Sequence, residues 1–339
     1  MTQANEGASE GLALRPRLPQ RLEPGLEPTD RIFHGTVTVI GMSVLGVTGA
    51  IGLFLGYQSI PTLHHYGLHF FTEVDWQPEL NRIGIAAVLV GTVEVALVAM
   101  AVAFPLALML ALFITDYAPT RIKSWLVSAV DLMAAVPSII YGLWGFFLLQ
   151  PHAIKLARWL SQYFGWFPLF HVDTDANAAV WQQSRYTSSA FIAGLAVAMM
   201  AIPLACAVMR AVFDQAPLGE REAAMALGGT RFGVVRTVVL PFAKGGIIGG
   251  TMLALGRALG ETAAVLIIIS PAYQIKARIL EAGTQTVSAL IAANFGNATA
   301  SQLKALLTAG FVLFLITLGV NTAAAVFIRR SRGGAGTEI

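Results

Sequence analysis

Six long apolar segments constrain the fold of this sequence more than any other feature. They cover residues 34–57, 83–115, 125–150, 187–212, 246–270 and 304–328. Each is long enough to cross about 30 Å of hydrocarbon as a helix. Only 12% of the 339 residues are charged, whereas a soluble domain carries about 25%. The sequence therefore predicts an all-α membrane protein with six transmembrane helices.

The two ends of the chain differ from this apolar body. Residues 1–32 are rich in Pro, Gly and Glu and lack the short apolar core of a signal peptide, so we predict a flexible N-terminal tail. Residues 33–330 are predicted to form the transmembrane domain, and residues 331–339 a C-terminal tail.

Lys and Arg are unequally distributed between the connections. They are about twice as frequent on the side that holds both termini and the 116–124 and 213–245 loops as on the opposite side. Because cytoplasmic loops carry the excess of Lys and Arg, both tails are predicted to be cytoplasmic.

No metal site or cofactor is predicted, since His64, His65 and His69 lack the spacing and additional ligands of such a site.

The cytoplasmic loop 213–245 is too long and too polar to be a simple connector. Asp214 and Pro217 are typical of a helix start, Gly228 of a helix end, and Thr230 of a second start, with a stop near Pro241. Such a helix fits a groove on a cytoplasmic partner, but an amphipathic connector has much the same pattern.

The same loop carries a spaced motif. Glu222-Ala223-Ala224 is followed after three residues by Gly228, and after nine more by Val238, any residue and Leu240-Pro241. This resembles the EAA loop of ABC importer permeases, E-A-A-x3-G-x9-I-x-L-P, with Val238 replacing Ile. The resemblance implies that the loop forms coupling helices that dock on a separate ATPase. The coupling residues would be Glu222, Ala223, Ala224, Gly228, Leu240 and Pro241.

Three further stretches of sequence resemble one particular group of these permeases. LFITDYAP (112–119), AVPSIIYGLWGFFLLQP (135–151) and LALGRALGETAAV (253–265) resemble the PstC-type permease subunits of phosphate ABC importers, which have a MetI-like fold. The resemblance implies a non-catalytic subunit of a bacterial plasma (inner) membrane. It also implies a second, PstA-type permease, a cytoplasmic PstB-type ATPase dimer and an extracytoplasmic PstS-type phosphate-binding protein. Membrane lipid would surround the complex, and no nucleic acid is expected as a partner.

Two charged residues stand out within the fifth apolar segment. Arg257 would lie about 16 Å into a helix that begins near Gly246, and Glu261 one turn later. A charge near the bilayer centre costs about 2.5–3.5 kcal/mol on insertion scales, so both side chains should face protein or water. Gly256 and Gly260 form an adjacent stripe that would allow a neighbouring helix to approach closely.

Two explanations for this pair follow from the residues. The first is an i,i+4 ion pair that joins two helices, although Arg before Glu is the less favourable order. The second is anion binding, because the arginine fork matches two oxygens of a tetrahedral oxyanion. Glu261 would then accept the proton of hydrogen phosphate and repel sulfate, which has none.

Other polar residues of the spans are weaker candidates. Thr262, Ser138 and Tyr141 are assigned to the substrate pathway with Arg257 and Glu261, although Ser138 and Tyr141 fit core packing equally well. Asp131 is expected to pair with Arg121 or Lys123. Glu94 is expected to form an interhelical hydrogen bond or to be protonated.

Two classes of function remain as alternatives to a phosphate permease. A permease for sulfate or molybdate is possible because an arginine alone does not distinguish oxyanions. An ion-coupled secondary transporter would use Glu94, Asp131 and Glu261 as ion sites. The chain contains no G-x-x-x-x-G-K-[ST] motif, so it is not expected to hydrolyse ATP itself.

Overall fold

The computed structural model describes residues 28–173 and 184–332. The predicted tails therefore lie mostly outside the described residues, although residues 28–32 and 331–332 are helical. The helices in the described part are α1 (Pro28–Tyr66), α2 (His69–Thr72), α3 (Ala86–Leu112), α4 (Thr120–Ala135), α5 (Ser138–Trp144), α6 (Gln150–Phe164), α7 (Ala190–Phe213), α8 (Leu218–Ala226), α9 (Arg231–Val234), α10 (Leu240–Gly260), α11 (Ala263–Ile268), α12 (Val287–Asn294) and α13 (Ala300–Arg332).

Short irregular elements connect these helices. An antiparallel hairpin pairs β1 (Trp76–Gln77) with β2 (Arg82–Ile83). Single π-helical turns follow α3, α5 and α9, at Phe113–Tyr117, Gly145–Leu149 and Val235–Val239.

The predicted all-α membrane fold is confirmed. Five helical segments are long and apolar enough to cross a bilayer: Thr29–Tyr66, Ala86–Tyr117, Ala190–Phe213, Arg231–Gly260 and Ala300–Val326. A sixth crossing results if the bent pair Thr120–Ala135 and Ser138–Phe164 is counted as one span. The two arms of this pair meet at 93°, because Pro137 lacks the N–H that a continuous helix needs there.

The chain divides into two units, residues 1–51 and 52–339. In the first unit, the described part of α1 exposes its apolar side chains, including Val37, Val39 and Leu45, as expected of a helix surrounded by lipid. In the second unit, the remainder of α1 packs closely against α13, since a Cβ at Gly52 would lie 2.9 Å from the Phe314 ring.

Helices α3 and α7 form the centre of the second unit. Alanines spaced four residues apart give α3 a fully buried stripe, at Ala99, Ala103, Ala107 and Ala111. On α7, a Cβ at Gly194 would lie 2.5 Å from Val98. Small residues on facing helices let the two backbones approach closely, and α3 and α7 therefore behave as one packed pair.

The loop after α7 differs from its prediction at Pro241. The second helix does not stop there, because α9, its π turn and α10 continue as one helical segment over Arg231–Gly260. Pro241 occupies the first turn of α10, and the wider π turn before it accommodates the residue that lacks an N–H.

The fifth apolar segment is not one helix over residues 246–270. Helix α10 ends at Gly260, and Glu261 has an extended backbone with φ −66° and ψ 126°. Helix α11 then covers only six residues, and an irregular segment leads from it to α12. Arg257 therefore lies in the last turn of α10, and Glu261 lies beyond the end of that helix.

Candidate functional site

The two helix breaks lie beside each other. A Cβ added at Gly142 of α5 would be 2.7 Å from the Cα of Ala264 in α11, so the backbones touch at this point. One turn later, a Cβ at Gly145 would be 2.8 Å from Ile268. Irregular backbone within a membrane is tolerated only where protein or a water-filled cavity surrounds it, and this juxtaposition therefore marks the candidate site.

Tyr141 repairs the break between α4 and α5. Its hydroxyl donates a hydrogen bond to the backbone oxygen of Met133 at 2.8 Å, and its side chain is buried. The same carbonyl accepts the Val136 N–H at 3.3 Å, and the Tyr141 hydroxyl adds a shorter hydrogen bond at the end of α4, where Pro137 supplies no N–H. Ser138, at the start of α5, is half-buried.

Glu261 caps α11. Its carboxylate oxygen Oε1 accepts a hydrogen bond from the Ala264 N–H at 3.2 Å, and only 7% of the residue is exposed. The backbone oxygen of Glu261 accepts a hydrogen bond from Ser288 Oγ at 2.7 Å, which connects the break to α12. Thr262 is half-buried and donates to the Gly260 carbonyl at 3.2 Å.

Arg257 is exposed on the surface of this chain. Within the described residues it forms no hydrogen bond or ion pair, so the predicted alternative of an i,i+4 pair with Glu261 is not realised. The two side chains diverge because α10 ends between them.

The two glycines that were predicted to allow close helix packing have different surroundings. A Cβ at Gly256 would lie 3.4 Å from the side chain of Asn321 in α13, so this glycine faces a neighbouring helix. No atom of the described chain lies within 4 Å of a Cβ placed at Gly260. Gly260 therefore contacts no neighbouring helix of the described residues, since α10 ends there, and its role in helix packing stays a prediction.

The 213–245 loop contains a helix between Pro217 and Gly228, as predicted. Helix α8 ends before Gly228, whose φ of 85° places it in the left-handed region. Thr230 caps α9 by accepting a hydrogen bond from the Gly233 N–H at 3.1 Å. Glu222 and Ala223 are exposed and Ala224 is half-buried. Asp214 does not cap α8, because it pairs with Lys123 at 3.2 Å.

Asp131 has a partner that differs from the expected ones, and Glu94 lacks the hydrogen bond that was one of its two expectations. Asp131 pairs with Arg210 of α7 at 3.3 Å rather than with Arg121 or Lys123. Its carboxylate lies on the face of α4 that packs against α7, where Arg210 is available. Glu94 is half-buried and forms no interhelical hydrogen bond within the described residues.

The long loops after α6 and α11 are joined by charged side chains. Asp173 pairs with Arg278 and, at 3.3 Å, with His171, while Arg278 also reaches Glu281. The hydrogen bond from Arg278 lowers the pKa of the Asp173 carboxyl. No group of His, Cys and acidic residues suited to a metal ion occurs in residues 28–173 and 184–332.

Sequence reasoning missed two residues that organise these sites. Ser288 holds the Glu261 carbonyl, and nothing in the local pattern VSALIAAN distinguishes this serine from a surface residue. Arg221 forms a buried ion pair with Asp116. Its position directly before the Glu222-Ala223-Ala224 motif could have drawn attention to it. Its partner could not have been found in this way, because Asp116 is 105 residues away in the sequence.

Comparisons with known proteins agree on one family. The family model described as "Binding-protein-dependent transport system inner membrane component" matches residues 103–333. A "Phosphate transport system permease protein PstC" of Xylella fastidiosa is 36% identical over 296 residues, which cover 87% of this chain and 88% of the relative. "Phosphate transport system permease protein PstC 2" of Mycobacterium tuberculosis is 36% identical over 304 residues, 87% of this chain and 90% of that protein.

A solved structure shares the fold. The crystal structure of a bacterial ABC transporter involved in the import of the acidic polysaccharide alginate contains a chain that matches with a TM-score of 0.54. The match covers 89% of the present chain and 96% of the other at 16% identity. At this low identity, the match concerns the backbone architecture alone.

Proposed function

This chain belongs to the family of binding-protein-dependent transport system inner membrane components, and from that membership we propose that it is a translocation subunit of an ATP-driven importer of inorganic phosphate. Its relatives over nearly nine-tenths of the chain are phosphate permeases by name. Its helical architecture is the MetI-like permease fold. The proposal therefore assigns the chain a transport role without catalysis of its own.

The exposed guanidinium of Arg257 is the observation that best supports the proposed position of the substrate pathway. An arginine in an apolar span is stable only if it faces water, a counter-charge or another chain. Arg257 has no counter-charge within the described residues and lies beside the paired helix breaks. A wet path for a tetrahedral oxyanion, closed on its other side by a second permease, fits this position.

Helix α8 supports the proposed contact with an ATPase. The surface of α8 and of its C-cap residue Leu227 includes apolar side chains that a soluble protein would normally cover, since Leu218 is 73%, Met225 51% and Leu227 90% exposed. We assign Glu222, Ala223, Ala224 and Gly228 to this contact. We assign Leu240 and Pro241 to the same coupling region; they lie further along the continuous helix, in the first turn of α10.

The proposed complex contains three further components. A homologous PstA-type permease completes the pathway, a PstB-type ATPase dimer binds α8 from the cytoplasm, and a PstS-type protein delivers phosphate from outside. Both termini then lie on the cytoplasmic side, in agreement with the distribution of Lys and Arg.

Measuring which energy source drives phosphate uptake tests this function directly. We expect proteoliposomes that contain the assembled complex to import phosphate with internal ATP and external binding protein, and to continue when ionophores collapse ion gradients. Uptake that stops with ionophores and continues without ATP would instead support an ion-coupled transporter with Glu94 or Glu261 as ion sites. Competition by unlabelled sulfate or molybdate separates phosphate from the other oxyanions.

Glu261, which lies at the break after α10 and apart from the Arg257 side chain, is proposed to select hydrogen phosphate over sulfate where the pathway passes that break. Glu261→Gln is expected to raise sulfate affinity relative to phosphate by about tenfold, because the repulsive carboxylate is replaced by a neutral amide. The measurement is anion titration of the purified permease pair without the binding protein, so that the permease alone determines selectivity.

Glu79→Gln provides the matched control for this selectivity experiment. Glu79 is an exposed acid in the turn between β1 and β2, and its substitution should leave the affinity ratio unchanged. A Glu261→Gln variant that binds phosphate normally and still rejects sulfate would contradict the selective role.

A further inference from the structure

One side chain fastens the coupling helix α8 to the membrane-spanning helices. Arg221 lies directly before Glu222, and its side chain is only 17% exposed. Its neighbours Glu220 and Glu222 are exposed, and no residue of α8 is fully buried. Arg221 is therefore the charged residue by which α8 enters the protein interior.

The guanidinium of Arg221 contacts two different helical segments. Nη1 donates to the Asp116 carboxylate oxygen Oδ1 at 2.5 Å, and Nη2 donates to the backbone oxygen of Phe213 at 2.7 Å. Asp116 lies in the π turn that follows α3, with a side chain 9% exposed. Phe213 is the last residue of α7 and is fully buried. One planar group thus joins α8 to the ends of both α3 and α7.

The chain segment between α7 and α8 cannot transmit movement of α8 in place of the contacts of Arg221. Four residues, 214–217, separate α7 from α8, and rotation about their backbone bonds can absorb a change in the angle of α8. Helix α3 has no direct chain connection to α8 and depends on the contact of Arg221 with Asp116. Since α3 packs closely against α7 where Val98 meets Gly194, a displacement that reaches both helix ends moves the pair as a unit.

We infer that Arg221 is a positioning residue that transmits movement of α8 to the packed pair of α3 and α7. This inference rests on the proposed function, because an ATPase must supply the movement. Arg221 acts through Asp116 and Phe213 and does not contact the substrate. Its loss should therefore separate ATP hydrolysis from transport instead of abolishing hydrolysis.

A variant that lacks Arg221 alone could not distinguish a loss of coupling from a loss of stability. The second carboxylate oxygen of Asp116, Oδ2, is buried and has no partner in the described part of the chain. Without Arg221, the carboxylate would be an uncompensated buried charge, which is strongly destabilising. Replacement of both partners by apolar residues of similar volume avoids this problem, since such exchanges are often neutral for stability.

The test compares Arg221→Met/Asp116→Leu with the wild-type complex in proteoliposomes. Assembly is measured by co-purification, and coupling is measured as phosphate imported per ATP hydrolysed. We expect the double variant to assemble and to retain basal ATPase activity, while the coupling ratio falls about tenfold. An assembled double variant with a wild-type ratio would overturn the inference, because the ion pair would then serve stability alone.

Two further variants make the result decisive. Lys123→Met/Asp214→Leu removes a neighbouring ion pair with side chains 35% and 48% exposed that does not involve α8, and its coupling ratio should change by less than about twofold. Arg221→Lys retains the charge but loses the planar fork that reaches two partners. It should assemble with an intermediate ratio, and a wild-type ratio would contradict the linkage even if the double variant fails to assemble.

The outcomes also distinguish the linkage from the proposed function. A wild-type complex that assembles and hydrolyses ATP but imports no phosphate contradicts the proposed function. Wild-type import together with unimpaired coupling in both Arg221 variants contradicts only the linkage.

Discussion

Arg257→Ala is expected to reduce phosphate uptake and phosphate-stimulated ATPase activity by about 10- to 100-fold, the equivalent of one or two charge-assisted hydrogen bonds. The side chain is exposed on a span and has no counter-charge in the described residues. Its removal therefore leaves no buried partner behind, and assembly of the complex should be retained. Uptake by proteoliposomes with normal subunit stoichiometry is the measurement.

Two companion variants define what Arg257 contributes. Arg257→Lys keeps the charge and loses the bidentate fork, so an intermediate rate is expected if oxygen geometry matters. Arg82→Ala removes an exposed arginine from the hairpin strand β2 and should leave uptake unchanged. Retention of full coupled transport in an assembled Arg257→Ala complex would exclude this side chain from the pathway.

Gly142→Ala is expected to destabilise the subunit by about 1–3 kcal/mol and to impair transport, because overpacking displaces the two broken helices. The new methyl group would lie 2.7 Å from the Ala264 Cα, and backbone cannot move aside as a flexible side chain can. The shift would act directly on α11, which Glu261 caps. Thermal unfolding of the purified complex and phosphate uptake are the two measurements.

Gly310 offers a matched comparison within a span. A Cβ there would lie 3.5 Å from the end of the Ile291 side chain, an ordinary contact. Gly310→Ala should be neutral or stabilising by up to about 1 kcal/mol, since alanine favours helix. If Gly142→Ala unfolds at the same temperature as Gly310→Ala, the close contact between α5 and α11 is not present in the working protein.

The sequence predicted the apolar helices well and their interruptions poorly. Runs of apolar residues specify a span because lipid requires them, whatever the neighbours are. The break at Pro137 has a local cause, because proline lacks the N–H that a continuous helix needs. The break at Glu261 depends on a hydrogen bond from Ser288, 27 residues further along the chain, and on the packing of α11 against α5. Neither contact leaves a periodic signal.

The same distinction applies to the candidate site. Arg257 and Glu261 were identifiable because charge is rare in spans, and Gly228 and Thr230 because caps are local. Their three-dimensional relations were not identifiable. A continuous helix would have kept Arg257 and Glu261 on one face, whereas the extended backbone at Glu261 separates an exposed cation from a buried acid.

The exposed guanidinium of Arg257 has a consequence for biogenesis. A subunit made alone would present this charge to acyl chains, at an insertion cost of about 2.5–3.5 kcal/mol. Association with the second permease would relieve that cost. The same arginine would then favour pairing of the two chains before any anion is carried.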